Sequence, residues 1–206
     1  MTTVLEHSAR RAGDSAAAGP MAGVEAFDPH LAAARRRILT LSTAAFTLLF
    51  AVWLMFGILA IPIRQELHLT EMEFSWLTAI AILNGSIWRL TFGMLADRYG
   101  GRRVMTVLLL ATAVPAFLVA FAHTYGELLT YAFLVGLAGN GFSIGIAWNS
   151  AWFPRARQGA ALGVFGAGNV GASVTKLIGP TLIALVPAAG VSLLGLHLPG
   201  GWRMIP

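Results

Sequence analysis

The chain has 206 residues, of which 57% are hydrophobic and only 11% are charged, whereas a soluble domain is typically about 45–50% apolar and about 25% charged. A soluble core could not bury this much apolar surface, so the composition and the mean hydropathy of +0.73 exclude a soluble enzyme and predict a surface that faces the lipid bilayer. The absence of cysteine excludes disulfide frameworks and thiolate metal sites, and we attribute the net charge of +5 to membrane topology and expect no nucleic-acid partner.

Residues 1–37 are predicted to form a disordered cytoplasmic tail. They are rich in small and polar residues and carry too few large apolar side chains to fold alone. The tail is not a signal peptide, because the first apolar run begins only near Ile38 and is too long for the apolar region of a leader.

Five long apolar segments follow, and each covers the roughly 20 residues that a spanning helix needs. We expect spans at residues 38–62, 74–96, 104–122, 128–153 and 159–187. All five should be helices, because lipid offers the backbone no other hydrogen-bond partner, and the short alternating strands of an outer-membrane barrel are not evident. The predicted fold class is therefore an all-α membrane protein with five transmembrane helices.

The basic residues predict the orientation of these spans. Eight arginines flank the spans on one side and two on the other; the eight are Arg35, Arg36, Arg37, Arg98, Arg102, Arg103, Arg155 and Arg157, and the two are Arg64 and Arg203. Because basic residues concentrate in cytoplasmic loops, the N-terminus is predicted to be cytoplasmic.

Arg89 carries the strongest functional signal. It precedes Asp97, at the end of span two, by about eight residues, which places it roughly 12 Å into the bilayer, and a central arginine costs at least about 2.5–3.5 kcal/mol unless it faces protein or water. Residues at helical spacings, among them Gly85 and Gly93, should share its face and admit a neighbouring helix. All nine acidic residues lie in the tail, in loops or at span ends, so the guanidinium is available to an oxyanion or a carboxylate; the alternative is a structural arginine bonded to backbone carbonyls.

Span five carries a second set of polar residues. Asn169 lies at a depth similar to that of Arg89, and its amide can donate to an anion that Arg89 also holds, or else it joins two helices. Asn169, Ser173 and Lys176 follow at helical spacing and form one polar stripe that could line an entry path. For Lys176, near the external boundary, the alternative is a side chain that extends to the interface.

Spans four and five are dense in glycine. Gly159 and Gly163 are spaced for close helix packing, and the amides of Asn140 and Asn149 nearby would be costly against lipid.

The loop between spans two and three resembles the cytoplasmic motif of the major facilitator superfamily, GxLaDrxGrr. The loop reads GMLADRYGGRR over residues 93–103. The motif residues here are Gly93, Asp97, Arg98, Gly100, Arg102 and Arg103. Two further runs resemble the nitrate/nitrite porter family within that superfamily: AILNGSIWR at residues 81–89, and residues 136–180, which contain GAGNVG at residues 166–171. The similarity covers about residues 38–206.

The resemblance implies transport of nitrate or nitrite by alternating access across a bacterial inner membrane. By this resemblance Arg89 grips the anion, Asn169 lines the same site and Phe142 stacks near it, while the Asp97, Arg98 and Arg103 cluster stabilises one state of a cytoplasmic gate. The family has two six-helix halves, so a chain that stops before span six is expected to be a truncated fragment lacking the C-terminal half and its second arginine.

Two other functions stay open at this stage. One is transport of another small anion, such as a carboxylate or phosphate, and the other is a membrane fragment that transports nothing. Enzyme activity, cofactors and metals are not expected, because the five histidines are scattered and form no metal-ligand cluster.

Overall fold

The computed structural model describes residues 29–185, 191–193, 196–198, 200–204 and 206, which are almost entirely helical. The α-helices are α1 (Pro29–Trp53), α2 (Phe56–Leu67), α3 (Glu71–Ile87), α4 (Arg89–Tyr99), α5 (Gly101–Val119), α6 (Tyr125–Val135), α7 (Gly141–Trp152), α8 (Arg155–Gly166) and α9 (Val170–Leu185). Short 3-10 helices lie at Gly136–Asn140, Ala167–Asn169 and Gly201–Met204. Strands β1 (Val191–Leu193) and β2 (Leu196–Leu198) pair antiparallel, with Val191 opposite Leu198.

Four stretches are long and apolar enough to cross a membrane, and the pair α3 and α4, bent by 42°, can supply a fifth. The four are His30–Leu67, Gly101–Val119, Tyr125–Trp152 and Arg155–Thr181. This arrangement confirms the predicted all-helical membrane class, to which the β1–β2 hairpin is a small addition.

The predicted limits of the first and last segments differ from the structure. Helix α1 begins at Pro29 rather than at Ile38, so the end of the predicted disordered tail is helical, and α2 continues through Pro62 to Leu67. Residues 1–28 of the tail, and the predicted end of span five at Pro187, lie outside the described residues. Residues 35–206 form one compact unit, separate from residues 1–34, and the bundle described below belongs to it.

Two helices begin with the same capping arrangement. The Thr70 hydroxyl accepts from the Glu73 backbone N–H while the Glu73 carboxylate accepts from the Thr70 backbone, and Thr124 and Glu127 repeat this exchange at the start of α6. Each pair satisfies backbone donors that a helix start leaves free. The caps therefore fix the starting points of spans two and four.

The core consists of two apolar clusters. One joins the end of span one and the start of span two to the end of span three and the start of span four, with Phe56, Leu77, Val119 and Leu128 among its members. The other joins Leu49 of α1 to the end of span two, the start of span three and the end of span four. Because successive antiparallel spans alternate direction, the two clusters lie towards opposite ends of the bundle.

Glycines allow the helices to approach closely, as predicted for Gly85 but not at the predicted pair Gly159 and Gly163. A Cβ on Gly136 would lie 2.5 Å from the Ala81 carbonyl oxygen, and one on Gly171 would lie 2.3 Å from the Thr47 carbonyl oxygen. At Gly159 and Gly163, an added Cβ would meet nothing within 4 Å in the described part of the chain. The close packing expected at this pair is therefore not made by the described helices.

Candidate functional site

Arg89 lies at the point where span two changes direction. Helix α3 ends at Ile87, Trp88 adopts φ −83° and ψ 0°, and Arg89 begins α4. The prediction that Gly85 shares the face of Arg89 is not met, because the bend turns the two helices apart. An added Cβ on Gly85 would instead lie 2.8 Å from the Gly136 carbonyl oxygen. The exposed Arg89 makes no hydrogen bond or ion pair within the described residues.

Phe142 of α7 brings an aromatic face to this guanidinium. The Arg89 Cζ lies 5.9 Å from the Phe142 ring centroid, within the range of a cation–π contact. The resemblance to known transporters implied a role for both residues, and the structure places them together. A small anion bound to this guanidinium would lie beside the aromatic ring.

Behind Phe142 lie two further rings, and we name Phe46, Phe142 and Phe165 the phenylalanine triad. The centroid distances are 4.8 Å between Phe46 and Phe165, 5.5 Å between Phe46 and Phe142, and 6.0 Å between Phe142 and Phe165. The rings come from α1, α7 and α8. The triad therefore ties spans one, four and five together beside Arg89.

A cavity of about 900 Å³ lies between spans two and four, on the Arg89 side. It is lined by Ser86, Ile87, Arg89, Leu90, Gly93, Met94, Asp97, Ser143, Ile146, Ala147, Ser150 and Ala151. The Ser86 hydroxyl donates to the Ile82 carbonyl (2.9 Å), whereas the hydroxyls of Ser143 and Ser150 make no hydrogen bond within the described residues. Two free hydroxyls and a guanidinium give the cavity hydrogen-bond donors.

Sequence reasoning missed these two serines, although their spacing carries a signal. Ser143 directly follows Phe142, and Ser150 comes seven residues later, which is two helical turns on the same face. Serine is common in membrane helices, where its hydroxyl usually bonds its own backbone. The spacing therefore indicates that the two serines share a helix face, but it cannot show that this face lines a cavity.

Asn169 and Lys176 lie further along span five. Asn169 ends the 3-10 helix Ala167–Asn169, four residues after Phe165, and both Asn169 and Lys176 are exposed together with Ser173. The predicted polar stripe is thus present on the surface of the described chain. No hydrogen bond joins Asn169 or Lys176 to Arg89 among the described residues.

The motif between spans two and three has a rigid turn. Gly100 has φ +88°, a conformation that favours glycine, and an added Cβ on Gly101 would lie 2.2 Å from the Trp148 Cβ. Asp97 lines the cavity and makes no ion pair within the described ranges. The Arg98 guanidinium lies over the Tyr99 ring at 5.5 Å, and the motif arginines Arg102 and Arg103 are exposed.

The buried amides of Asn149 and Asn140 do not line the cavity, and that of Asn149 joins two helices. The Asn149 amide donates to the Ser42 hydroxyl (2.9 Å) and to the Gly145 carbonyl (2.8 Å). The Asn140 amide donates to the Leu137 carbonyl in its own span (2.9 Å). The Asn149 amide is thus kept from lipid by a bond to span one.

A polar cluster that the sequence did not predict lies at the far end of the bundle. The Arg203 guanidinium donates to the Glu66 carboxylate (2.8 and 2.9 Å) and to the carbonyls of Ala120 (2.9 Å) and Ala122 (2.6 Å). The Trp202 indole N–H donates to the other oxygen of Glu66 (2.5 Å). These bonds hold the last 3-10 helix against the ends of spans one and three.

The chain has several apolar helices long enough to cross a membrane, and a cationic side chain lies beside a cavity at a bend in one of them. These features define a multi-pass membrane protein of the transporter type. In the described part of the chain, no group of three metal-ligating side chains converges. The sequence pattern of the Major Facilitator Superfamily matches residues 41–205, and the chain belongs to this superfamily.

The chain is similar to relatives named for nitrate and nitrite. It is 67% identical over 172 residues to the probable nitrate/nitrite antiporter NarK1 of Thermus thermophilus, covering 84% of this chain and 38% of that protein. It is 31% identical to the nitrite extrusion protein of Bacillus subtilis (strain 168) and 30% identical to the probable nitrate transporter NarT of Staphylococcus aureus (strain JH9), each over 148 residues, 72% of this chain and 38% of the relative. The predicted resemblance is confirmed, and the chain spans 38% of the length of these relatives.

Proposed function

We propose that this chain binds nitrate or nitrite at Arg89 and takes part in carrying the anion across the membrane by alternating access. The observation that carries the proposal is the Arg89 guanidinium, which lies beside Phe142 and the cavity and makes no ion pair with a described carboxylate. A guanidinium without a counter-charge in a low-dielectric site favours an anion. Its planar N–H groups match two oxygens of a planar oxyanion.

The names of the relatives support the choice of anion. All three are named for nitrate or nitrite. Nitrate and nitrite are small and planar, so either can accept hydrogen bonds in the plane of the Arg89 guanidinium and lie beside a ring such as Phe142. Because the chain spans 38% of the length of these relatives, the proposal assigns it the Arg89 side of the site, and a second helical half would complete the site.

Two residues of span five have supporting roles in this proposal. Asn169, at the end of a 3-10 segment, donates a hydrogen bond to the anion. Lys176, on the exposed polar stripe, attracts anions towards the end of the path. Neither side chain is bonded elsewhere among the described residues, which leaves both available.

The motif between spans two and three acts as the gate. In this proposal Asp97, with Arg98 and Arg103, stabilises one state of the transport cycle at the cytoplasmic end of the cavity. Its carboxylate, which has no partner among the described residues, and the turn at Gly100 support a docking role towards the second helical half. The N-terminus lies in the cytoplasm, as the distribution of arginines favours. The membrane is the bacterial inner membrane, which the bacterial sources of the relatives support.

The test is nitrate transport by the full-length gene product in proteoliposomes. Arg89→Gln removes the charge and should lower nitrate uptake roughly 30-fold or more, the factor expected when one partner of a close charge pair is lost. Arg89→Lys keeps the charge without the planar fork and should recover only part of the rate. Arg157→Gln, the same change at an exposed arginine of α8, is the matched control and should transport normally.

Competition experiments identify the anion. Nitrite and chlorate should inhibit uptake of labelled nitrate, whereas acetate and phosphate should not. Inhibition by acetate or phosphate would instead assign the site to another small anion. Unchanged nitrate uptake by Arg89→Gln at equal protein levels, or no uptake by the unmodified protein, would contradict the proposed function.

A further inference from the structure

We infer that Phe46 and Phe165 are positioning residues that hold Phe142 against Arg89 and thereby set which anions the site accepts. The inference deepens the proposed function and rests on it. Within the phenylalanine triad, Phe142 alone has a ring contact with Arg89 among the described residues. The other two rings act on the site through Phe142.

The two supporting rings are fully packed. Phe165 is 0% exposed and Phe46 is 1% exposed, whereas Phe142 is partly exposed. Phe165 stacks on Phe142 at 6.0 Å with an interplanar angle of 29°, and Phe46 closes the third side at 5.5 Å. Because protein interiors are close-packed and compress little, Phe142 cannot retreat from an anion that presses against its face.

A glycine socket fixes the position of Phe165. Gly145 lies one turn after Phe142 in α7, and a Cβ added there would lie 2.0 Å from Cζ and 2.3 Å from Cε2 of the Phe165 ring. The ring of span five therefore lies directly on the backbone of span four. Any side chain at position 145 would displace Phe165 and with it the wall that supports Phe142.

Phe46 extends the same support towards Asn169. A Cβ on Gly168 would lie 2.6 Å from the Phe46 Cδ1, and Gly168 directly precedes Asn169. The ring that supports Phe142 thus also lies against the backbone that carries the amide. Through these contacts the triad fixes the separation between the Arg89 and Phe142 side of the site and Asn169, so its dimensions decide between anions of different shape.

The experiment measures transport kinetics of the full-length gene product carrying Phe165→Leu. The KM for nitrate should rise roughly threefold to tenfold, the factor expected from the loss of one aromatic pair, while the maximal rate stays near that of the unmodified protein. The preference for planar nitrate over the larger, pyramidal chlorate should fall, because the wall behind Phe142 becomes compliant. Phe46→Leu should act in the same direction.

The matched control is Phe56→Leu. Phe56 is 2% exposed and lies in α2 within the core cluster that also contains Leu77 and Val119, without a ring contact to the triad in the described chain. Its substitution removes a buried ring of the same size. It should lower stability to a similar extent but leave the nitrate KM and the nitrate-to-chlorate ratio unchanged.

A second variant tests the socket directly. Gly145→Ala should raise the nitrate KM, because its methyl group displaces the Phe165 ring. In Gly145→Ala/Phe165→Leu the ring that would clash is gone, so the combined increase in KM should be clearly smaller than the product of the two single increases. Multiplicative effects would show that Gly145 and Phe165 act independently.

The outcomes separate this inference from the proposed function. If Arg89→Gln abolishes nitrate transport but Phe165→Leu changes only the protein yield, with KM and selectivity intact, the positioning role is wrong and the anion site stands. The same holds if Phe56→Leu shifts selectivity as much as Phe165→Leu does. If Arg89→Gln has no effect, the proposed function fails first.

Discussion

Gly101 lies so close to Trp148 that its position admits no side chain. A methyl group there would begin 2.2 Å from the Trp148 Cβ, so Gly101→Ala forces α5 away from α7. We expect the free energy of unfolding to fall by about 1–3 kcal/mol, as in other overpacked sites. Thermal unfolding of the purified full-length protein in detergent measures the change.

Gly126→Ala is the control for this substitution. Gly126 lies in the first turn of α6, and an added Cβ meets nothing within 4 Å among the described residues. Its replacement should leave stability unchanged or raise it by up to about 1 kcal/mol, because alanine restricts the unfolded chain. Equal destabilisation by both variants would mean that the contact with Trp148 does not determine the requirement for glycine.

Single residues also mark how far the sequence could predict the candidate site. Arg89 could be recognised as a lone basic residue in an apolar run, because the cost of an intramembrane charge depends little on the fold. Phe46 and Phe165 gave no comparable signal, because a phenylalanine in an apolar segment is as easily a lipid-facing or core residue. Their role depends on contacts between segments that are far apart in the chain.

Ser42 and Asn149 form a polar link between spans one and four. Both side chains are fully buried and joined by a 2.9 Å hydrogen bond. A double-mutant cycle of Ser42→Ala and Asn149→Ala should give a coupling energy of about 0.6–1.7 kcal/mol, the range found between membrane helices. The free energy of unfolding in mixed micelles is the quantity to measure.

Asn140 provides the comparison for this cycle. Its amide donates to the Leu137 carbonyl within the same span, so Asn140→Ala and Ser42→Ala should have additive effects. A coupling as large as that of Ser42 with Asn149 would indicate a general loosening of the bundle instead of a specific bond.

The helical elements were predictable to a large extent, and their exceptions have physical causes. Long apolar runs identify spanning helices because the bilayer leaves the backbone no alternative. The break at Trp88 was missed, since the sequence around it contains no proline and retains helical hydrophobicity. The expected packing at Gly159 and Gly163 was wrong for the described helices, because glycine spacing predicts that a surface is smooth but not that a helix covers it.

Arg203 joins the 3-10 helix Gly201–Met204 to the end of span one and to the residues after span three. Its guanidinium, 6% exposed, bonds Glu66 at the end of span one and the carbonyls of Ala120 and Ala122 after span three. Arg203→Ala should lower the free energy of unfolding. Each charged hydrogen bond that is lost should contribute at most about 1.5–3 kcal/mol, since Glu66 stays partly exposed to solvent. Arg203→Lys should recover part of this loss, and thermal unfolding in detergent measures both.

Arg64 offers a surface ion pair for comparison. It lies 3.4 Å from the Glu71 carboxylate, and both side chains are well exposed. Arg64→Ala should cost less than about 1 kcal/mol. A cost equal to that of Arg203→Ala would mean that the bonds to the carbonyls after span three contribute nothing.

The bend at Trp88 has a mechanical consequence for the whole bundle. Helix α4 is 11 residues long, or roughly 16 Å at 1.5 Å per residue, and it begins at the bend, with Arg89 as its first residue. A change of about 10° in the 42° bend would carry the Tyr99 end through about 3 Å, by the same helix geometry, while moving Arg89 hardly at all. A small change in this bend would therefore displace the Gly100 turn at the far end of α4 and leave the guanidinium beside the bend nearly in place.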